Sequence, residues 1–476
     1  MSSFEYASRD GLGLAALVAR GEVSPVELVE AAIACIERHN GALNAVVYKA
    51  YDEARRAAAG ALPAGPFKGV PFLIKDLGRR VAGWPCSSGS VFAETGPAAE
   101  DSVLVRRYRD AGMILMGATN TPEFGIPGVT HSARLGLCKN PWNVAHTPGG
   151  SSGGAAAAVA SGMVPMAHGS DGLGSIRIPA SCCGLVGMKP TRDRNPWDPD
   201  ELGRVCGLAV DHIVCRSVRD SAAMLDATGY PQAASPYAPP PKAGPYLDEV
   251  QRSPGKLRIA WSSQTPTGRP IDPEVEQALV ETTELLASLG HDVQPRTLRV
   301  DWLALYLAAR TMLAANFAAE MKGVVARVGR EPGEGELGML ARRNYEAGKQ
   351  VSGADAFAAA QRVRALCWQI LEQFQDLDVF VTPVLGTPPP LTDELDPVSG
   401  DLSTFDRRTA ASFPFTPPFN MTGQPAISLP LAQSKSGLPI GMMFTARYGD
   451  EATLFRLAGQ LEKARPWADR RPPIWG

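Results

Sequence analysis

The stretch from Gly149 to Pro190 consists largely of glycine, serine, alanine and other small residues. Glycine adopts backbone conformations that other residues avoid and lets main-chain N–H groups approach a ligand closely. Two glycine-rich loops, residues 149–154 and 172–174, flank a short helical segment and a strand-like segment, and serines accompany both loops. We interpret this arrangement as a pocket for a developing negative charge in which Ser151 and Ser175 act together.

Three other structures compete for the same glycines. A phosphate-binding loop requires GxxxxGK followed by serine or threonine, and no lysine follows the first loop. The nucleophile elbow GxSxG matches around Ser151 and around Ser152, but it needs a preceding strand, and residues 146–148 favour a turn. A serine-capped helix over residues 155–160 explains Ser152 and the alanines, but it gives no reason for the second loop, which ends in Ser175.

Lys75 follows an apolar run, residues 70–74, that predicts a buried strand. A lysine at a strand end can be a solvated charge or the partner of the adjacent Asp76. Burial instead disfavours the charged form and lowers the pKa of a lysine. Because a serine hydroxyl is a poor nucleophile until a neighbouring base removes its proton, a buried, neutral Lys75 is a candidate base.

Several longer motifs resemble the amidase signature family of serine hydrolases. They cover nearly the whole chain and match least well between about residues 192 and 375. The segments are GVPFLIKD at 69–76, GATNTPEFG at 117–125, KNPWN at 139–143, PGGSSGGAAAAVASG at 148–162, GSIRIPASCCGLVGMKPT at 174–191, NMTGQPAISLPL at 420–431 and GLPIGMMF at 437–444. The resemblance implies an enzyme that hydrolyses amides without a cofactor.

Members of that family use a lysine, a serine with a cis peptide bond and a nucleophilic serine, and the resemblance assigns these roles to Lys75, Ser151 and Ser175. The two serines lie 24 positions apart, which fits the family pattern. In the implied cycle the proton of Ser175 passes through Ser151 to Lys75 while Ser175 attacks the carbonyl. The expected oxyanion donors are the backbone N–H groups of Gly172, Leu173, Gly174 and Ser175, and the expected supporting residues are Ser152, Asp171 and Arg177.

Leu173 departs from the common family pattern GTDTGGS, because residues 169–175 read GSDGLGS. A leucine is tolerated there only if its dihedral angles are ordinary for an L-residue. We expect its side chain to narrow the pocket beside the nucleophile and to affect substrate preference rather than catalysis. A non-glycine residue at this position, together with the AHGSDG and NPWN segments, resembles the pattern of those family members that open 6-aminohexanoate cyclic dimers.

The composition is typical of a globular enzyme, with 476 residues, of which 45% are hydrophobic and 20% charged. A formal net charge of −2 argues against nucleic acid as a partner. We find no pattern of a secretory signal and no apolar run that approaches the roughly 20 residues of a membrane span. We therefore expect a cytoplasmic protein without membrane association, as a monomer or homodimer.

Eight cysteines and six histidines are scattered through the chain without the spacing of a zinc site or a disulfide framework. No metal is therefore expected. A cysteine nucleophile and a serine–histidine–acid triad are the alternative chemistries. We expect Cys182 and Cys183 to be packed thiols in a strand of small residues, and His168 to be a hydrogen-bonded residue of the pocket wall. Residues 11–16, GLGLAA, mimic a dinucleotide fingerprint but lack the preceding strand.

Alternating strand-like and helical patterns predict an α/β fold. The resemblance implies one domain with α/β/α layers around a central mixed β-sheet and an N-terminal helical cap. We divide residues 1–476 into this cap (1–65), a catalytic core with the lysine and both serines (66–192), a variable substrate region (193–420) and C-terminal strands with a helix (421–476).

The apolar patterns predict particular elements within this fold. Strands are expected at residues 70–75, 113–116, 163–167, 185–188, 257–261, 379–382, 426–429 and 440–444, and helices at 25–38, 273–289, 302–325, 354–373 and 451–463. Helical spacing favours core positions for Trp302, Tyr306, Phe317 and Trp368 over positions in the lining of the pocket. The proline-rich segments 192–254 and 385–418 are candidates for the substrate mouth.

Three functions are compatible with these patterns. The first is a free-standing amidase for small, medium, oligomeric or cyclic amides, with ester and urethane hydrolysis through the same tetrahedral intermediate. The second is the glutaminase subunit of a tRNA-dependent amidotransferase, which the apolar Leu173 disfavours. The third is a non-catalytic binding protein on a degenerate hydrolase fold, which the presence of Lys75, Ser151 and Ser175 together disfavours.

Overall fold

The computed structural model describes residues 3–93, 96–201 and 203–476. The strands are β1 Val46–Lys49, β2 Pro71–Lys75, β3 Ile114–Thr119, β4 His131–Ser132, β5 Gly136–Leu137, β6 Met166–Asp171, β7 Val186–Lys189, β8 Val210–Cys215, β9 Arg258–Trp261, β10 Asp292–Pro295, β11 Val379–Pro383, β12 Ala426–Gln433 and β13 Pro439–Ala446.

The α-helices are α1 Ser3–Ser8, α2 Gly11–Ala19, α3 Pro25–Leu43, α4 Tyr51–Ala59, α5 Val103–Asp110, α6 Gly153–Ala160, α7 Arg177–Cys183, α8 Arg204–Gly207, α9 Val218–Thr228, α10 Tyr246–Glu249, α11 Pro273–Ser288, α12 Trp302–Val328, α13 Met339–Lys349, α14 Gly353–Glu372, α15 Leu402–Ser412, α16 Pro417–Met421 and α17 Glu451–Ala464. Short 3₁₀ helices lie at Glu123–Gly125 and Pro199–Glu201.

Eleven strands of the described chain form one mixed sheet in the order β1-β3-β2-β6-β8-β7-β12-β13-β11-β9-β10, and β4 pairs with β5 separately. β2 runs parallel to β3 and β6, whereas β8 is antiparallel to both β6 and β7. Helices α6, α7, α9 and α17 pack against these strands. The predicted α/β fold around a central mixed sheet is confirmed.

The N-terminal region begins with helices, as expected, and α3 starts where the sequence predicts. The Ser24 hydroxyl accepts a hydrogen bond from the Glu27 N–H, and the Glu27 carboxylate accepts one from the Ser24 N–H, which is a capping box. The helix continues beyond the predicted end near Arg38 to Leu43, whose side chain is buried. Asn44, in the left-handed conformation with φ 50°, ends it.

The largest error of the sequence prediction concerns β8. This strand lies inside the proline-rich segment 192–254, where the apolar patterns predict no strand, and all six of its residues are buried. Asp211 and His212 interrupt its apolar pattern, so the period that normally marks a strand is lost. A second error concerns Cys182 and Cys183, which are buried as expected but lie in helix α7 rather than in a strand.

The four aromatic residues of α12 and α14 that the spacing places in the core differ in burial, and Trp302 is half-buried. Phe317 is buried, as predicted, and its ring packs edge-on against Phe124 at 5.3 Å. Tyr306 and Trp368 are 60% and 66% exposed, so their predicted core positions are wrong. Helical spacing alone does not identify which face of a helix meets the core.

One described helix, α12, is long and apolar enough to cross a membrane by length and composition alone. It has 27 residues, and an 18-residue window has a mean hydropathy of 1.2. Arg310, Glu320 and Lys322 interrupt its apolar residues, so it does not contradict the expectation that no uninterrupted apolar run approaches the length of a membrane span. A single helix of this kind is weak evidence for a span, since a core helix passes the same test.

Glycine is required where α13 packs against α12. A Cβ atom at Gly348 would lie 2.0 Å from the backbone oxygen of Ala314, whereas a Cβ at Gly41 in α3 would have open space around it. We predict that Gly348→Ala lowers the free energy of unfolding by about 1–3 kcal/mol through overpacking. Gly41→Ala should raise it by about 0.5–1 kcal/mol through helix propensity. Urea denaturation of both variants tests this, and equal effects would contradict it.

Candidate active site

Three neighbouring strands bring polar residues to one edge of the sheet. β2 and β6 run parallel, so Lys75 and Asp171, their last residues, lie at the same edge. β8 is antiparallel to β6 and places Asp211 opposite Ser170. The topology thus gathers a lysine and two carboxylates beside the glycine-rich loops.

Lys75 is fully buried, and its Nζ atom contacts three hydroxyl groups. The distances are 2.7 Å to Ser151 Oγ, 3.0 Å to Ser152 Oγ and 3.0 Å to Ser170 Oγ. Burial lowers the pKa of Lys75 from 10.5 to about 7, and the carboxylate of Asp211 opposes this shift. The neutral amine, which can accept a proton, is therefore populated near neutral pH.

Ser151 lies at a cis peptide bond, between Gly150 and Ser151. Its side chain is buried, and its carbonyl oxygen accepts a hydrogen bond from Thr121 Oγ1 at 3.1 Å. A Cβ atom at Gly125 would lie 3.1 Å from the Ser151 hydroxyl oxygen. The Ser151 hydroxyl is thus fixed by Lys75 and closely covered by the backbone at Gly125.

Ser152 occupies the N-cap position of α6, but its side chain does not cap the helix. Its hydroxyl donates to the Ser170 carbonyl at 3.2 Å and accepts from the Ser170 N–H at 3.3 Å. The prediction that the Ser152 side chain caps this helix is therefore wrong. The side chain instead links the first glycine-rich loop to β6. Ser170, which the sequence analysis did not select, joins both this link and the shell around Lys75.

Ser175 is half-buried and follows Gly174 in the second glycine-rich loop. No hydrogen bond joins the hydroxyl groups of Ser175 and Ser151, both of which the structure describes. Gly174 has φ +137°, and a Cβ atom there would lie 2.2 Å from Thr416 Oγ1. Leu173 is not among the residues with positive φ, so the condition for a leucine in this loop is met.

The carboxylate of Asp171 fixes the second glycine-rich loop through hydrogen bonds. It accepts hydrogen bonds from Gly174 N at 2.6 Å, Arg177 Nε at 2.9 Å and Asn420 Nδ2 at 2.9 Å. Burial by itself raises the pKa of Asp171, but the charge of Arg177 and these hydrogen bonds bring it to about 2. The group is therefore an anion in a site without solvent, where Arg177, also fully buried, balances its charge.

The Asp171 hydrogen bond changes the expected set of oxyanion donors. It occupies the Gly174 N–H, so this group is not free to bind an oxyanion. The backbone N–H groups of Gly172, Leu173 and Ser175 donate no hydrogen bond to any residue that the structure describes. These three groups remain as the candidates.

The histidine and cysteine alternatives find no support in the described geometry. His212 contacts the Ser221 hydroxyl at 3.0 Å, but both residues are fully buried, and burial lowers the pKa of His212 to about 3. Burial raises the pKa of Cys206 to about 12 and that of Cys86 to about 11, which favours unreactive thiols. Among the described residues, no group of three or more His, Cys, Asp or Glu side chains is placed to hold a metal ion.

A cavity of about 720 Å³ lies next to the second loop. Val205 is the neighbour of Gly172, since a Cβ atom at Gly172 would lie 3.5 Å from it, and the following residues of α8 line the cavity. The predicted mouth segment 192–254 and helices α12 and α14 contribute walls, among them Leu208, Tyr237, Met312 and Val363. None of the lining residues belongs to the other predicted mouth segment, 385–418.

Comparison with known proteins gives a consistent family. The family model described as amidase matches residues 27–455. The chain is 36% identical over 482 residues to the 6-aminohexanoate-cyclic-dimer hydrolase of Paenarthrobacter ureafaciens, covering 98% of this chain and 97% of the relative. A solved structure of 6-aminohexanoate cyclic dimer hydrolase superposes with a TM-score of 0.92, 35% identity and coverage of 98% and 99%. A bacterial aryl acylamidase structure of the amidase signature family has a TM-score of 0.87, 26% identity and 97% coverage of each chain.

The buried lysine makes a prediction about stability. The pKa of Lys75 is about 7 in the folded protein and 10.5 at its ordinary value. Between these values the unfolded chain binds more protons, so the free energy of unfolding of the parent rises with pH. Lys75→Met removes this contribution. The free energy of unfolding of the parent, relative to that of Lys75→Met, should therefore increase by up to about 1.4 kcal/mol for each pH unit above pH 7.

Urea denaturation of parent and variant between pH 6 and 9.5 measures this slope. Lys256→Met, which removes an exposed lysine, is the matched control and should show a difference that does not change with pH. A flat difference for Lys75→Met would mean that the buried amine keeps its proton throughout this range.

Proposed function

The chain belongs to the amidase family, whose members hydrolyse amides, and we propose that Ser175, Ser151 and Lys75 carry out this reaction through an acyl-enzyme. The observation that carries the proposal is the buried amine of Lys75 at 2.7 Å from the Ser151 hydroxyl. A base with a pKa near 7 has the best compromise between availability and strength at neutral pH. Ser175 is half-buried whereas Ser151 is only 2% exposed, so Ser175 is the hydroxyl that a substrate can reach.

In the acylation step Lys75 accepts the proton of Ser151, and Ser151 accepts the proton of Ser175 as the Ser175 oxygen attacks the amide carbonyl. The N–H groups of Gly172, Leu173 and Ser175 stabilise the resulting oxyanion, and the loss of one such donor costs on the order of 3 kcal/mol. Because Asp171 and Arg177 fix the loop through Gly174, these donors are held in place before substrate arrives.

The collapse of the tetrahedral intermediate requires a proton on the leaving nitrogen, since an amide anion is a very poor leaving group. Ser151 supplies this proton and recovers one from Lys75. Water then attacks the acyl-enzyme and gives a proton through Ser151 to Lys75. The proton returns through Ser151 to the Ser175 oxygen as the acyl bond breaks, which releases the carboxylic acid and regenerates Ser175.

We propose small, medium, oligomeric or cyclic amides as substrates. The 36% identity to a 6-aminohexanoate-cyclic-dimer hydrolase over nearly the full length supports this range. The apolar Leu173 next to the nucleophile and the cavity wall of methionine, leucine and valine favour an acyl group with methylene units. Esters and urethanes form the same tetrahedral intermediate and are proposed as additional substrates.

Two other functions are outcomes of the test rather than our conclusion. A glutaminase subunit of an amidotransferase would cleave glutamine and require a partner protein. A binding protein on a hydrolase fold would cleave nothing. A cytoplasmic location and the absence of membrane association stay predictions from the sequence.

The decisive experiment is product analysis by mass spectrometry of a substrate panel that contains a primary amide, an anilide, the cyclic 6-aminohexanoate dimer, an aryl urethane, an ester and glutamine. We expect hydrolysis by the parent and a loss on the order of 10⁵-fold or more for Ser175→Ala, because the triad acts as a unit. Ser161→Ala, in which a buried serine hydroxyl bonded to Ala157 O is lost, is the matched control and should stay active. Equal activity of both variants would exclude Ser175 as the nucleophile.

Leu173 is expected to determine which acyl groups are accepted. Leu173→Ala should raise kcat/KM for a bulky anilide relative to acetanilide by roughly tenfold, since pocket size is worth about 1–3 kcal/mol. Leu173→Gly should give the same selectivity but a lower kcat, because glycine frees the loop backbone. The ratio of kcat/KM for the two anilides checks this, and an unchanged ratio in both variants would show that Leu173 does not line the acyl site.

A further inference from the structure

A chain of buried polar residues lies behind Lys75 and takes no part in the steps above. The Lys75 backbone N–H donates to His168 Nδ1 at 3.3 Å, and His168 Nε2 contacts Asp211 Oδ1 at 2.9 Å. The other carboxylate oxygen of Asp211 accepts a hydrogen bond from Arg79. All three residues behind Lys75 are at most 3% exposed.

The direction of each hydrogen bond in this chain follows from its first donor. A backbone N–H can only donate, so His168 Nδ1 is the acceptor and carries no proton. The proton of the neutral ring is then on Nε2, which donates to Asp211. Burial lowers the pKa of His168, in agreement with a neutral ring, and Asp211 is left as the anion of the chain.

Asp211 acts on the charge of Lys75 as well as on its position. The groups that influence the lysine are Asp211 at the start of β8, Asp171 at the end of β6 and Arg204 in α8. Among them Asp211 opposes the effect of burial most strongly, and Arg204 adds to that effect. When Lys75 takes up a proton during acylation, a positive charge forms where no solvent reaches, and such a charge is costly without a nearby anion.

Arg79 keeps the Asp211 carboxylate ionised. The pKa of Asp211 lies well below its usual value although burial raises it, because the charge of Arg79 and the His168 hydrogen bond favour the anion. Arg79 also contacts Glu201 and, at 3.8 Å, Asp198, and its guanidinium lies 4.3 Å from the Trp197 ring. The Tyr108 ring faces His168 from α5 at 6.0 Å.

We propose that Arg79, Asp211 and His168 position Lys75 and that Asp211 is its buried counter-ion, so that this chain sets the pH at which the lysine accepts the proton of Ser151. The three residues are positioning residues, since none of them contacts the hydroxyl groups. This inference rests on the proposed function, because it needs Lys75 to act as the base. It adds to that function the Asp211 carboxylate, which stabilises the buried amine each time it is protonated.

The test is the pH profile of kcat/KM for parent, Asp211→Asn and Glu201→Gln. In the parent, activity should rise with pH through about 7 as Lys75 becomes neutral. This rise is the acidic limb of the profile. Without the counter-ion the neutral amine is favoured, so in Asp211→Asn the midpoint of the acidic limb should move to lower pH by about one pH unit or more. The maximal kcat should also fall by about tenfold, because the protonated lysine is less stable during acylation.

Glu201→Gln is the matched control. It removes another carboxylate that binds the same Arg79, but Glu201 is not among the groups that act on Lys75. Its acidic limb should stay within about 0.3 pH units of the parent. An equal shift in both variants would overturn the proposal, and so would a fall in the kcat of Asp211→Asn without any shift of the limb.

A second variant decides the question if Asp211→Asn does not fold. Arg79→Gln removes the cation that keeps Asp211 ionised, so the counter-ion is weakened and the acidic limb should move to lower pH, as in Asp211→Asn, and an unchanged or higher limb would overturn the proposal. The parent separates the two levels of inference. A parent without any hydrolysis would contradict the proposed function, whereas an active parent with an unmoved limb in the variants would contradict the counter-ion alone.

Discussion

The burial of one amine governs the architecture of the site. An isolated ammonium group is costly in a site without solvent, yet Lys75 is fully enclosed at the end of a strand whose five residues are all buried. The surrounding protein compensates with three hydroxyl groups around Nζ and a carboxylate behind the backbone. The result is an amine that binds a proton weakly enough to release it near neutral pH.

The second glycine-rich loop illustrates a related principle, in which a buried ion pair fixes backbone groups. Asp171 and Arg177 are both fully buried and balance each other's charge. Asp171 also holds Gly174 N, and Arg177 donates to the Thr416 carbonyl at 3.0 Å. Removing either charge would leave the other uncompensated, which is far more destabilising than never having had the pair. The pair therefore ties the second glycine-rich loop to α16 rather than adding stability as such.

Much of this site can be predicted from the sequence, because glycine-rich loops and a lysine at the end of an apolar run are local signals. The sequence does not single out Ser170, although it lies within the stretch 149–190, because only the pairing of β6 with β8 and the position of Lys75 give it a role. Asn420 is the first residue of the segment 420–431 that resembles the amidase signature family. Its contact with Asp171 joins residues that lie 249 positions apart in the chain. Asp211 lies in β8, a strand that the sequence does not predict because polar residues interrupt its apolar pattern. These contacts depend on strand order, which no local pattern encodes.

The role we propose for Lys75 also explains why Asp211 lies on β8 rather than in contact with Nζ. A carboxylate in direct contact with Nζ would form an ion pair, raise the pKa of the lysine and keep the amine protonated. A carboxylate that reaches the lysine only through His168 and its backbone N–H exerts a weaker attraction. In the proposed cycle Lys75 can then be neutral before the reaction and charged during it, and the three hydroxyl groups around Nζ must accommodate both states.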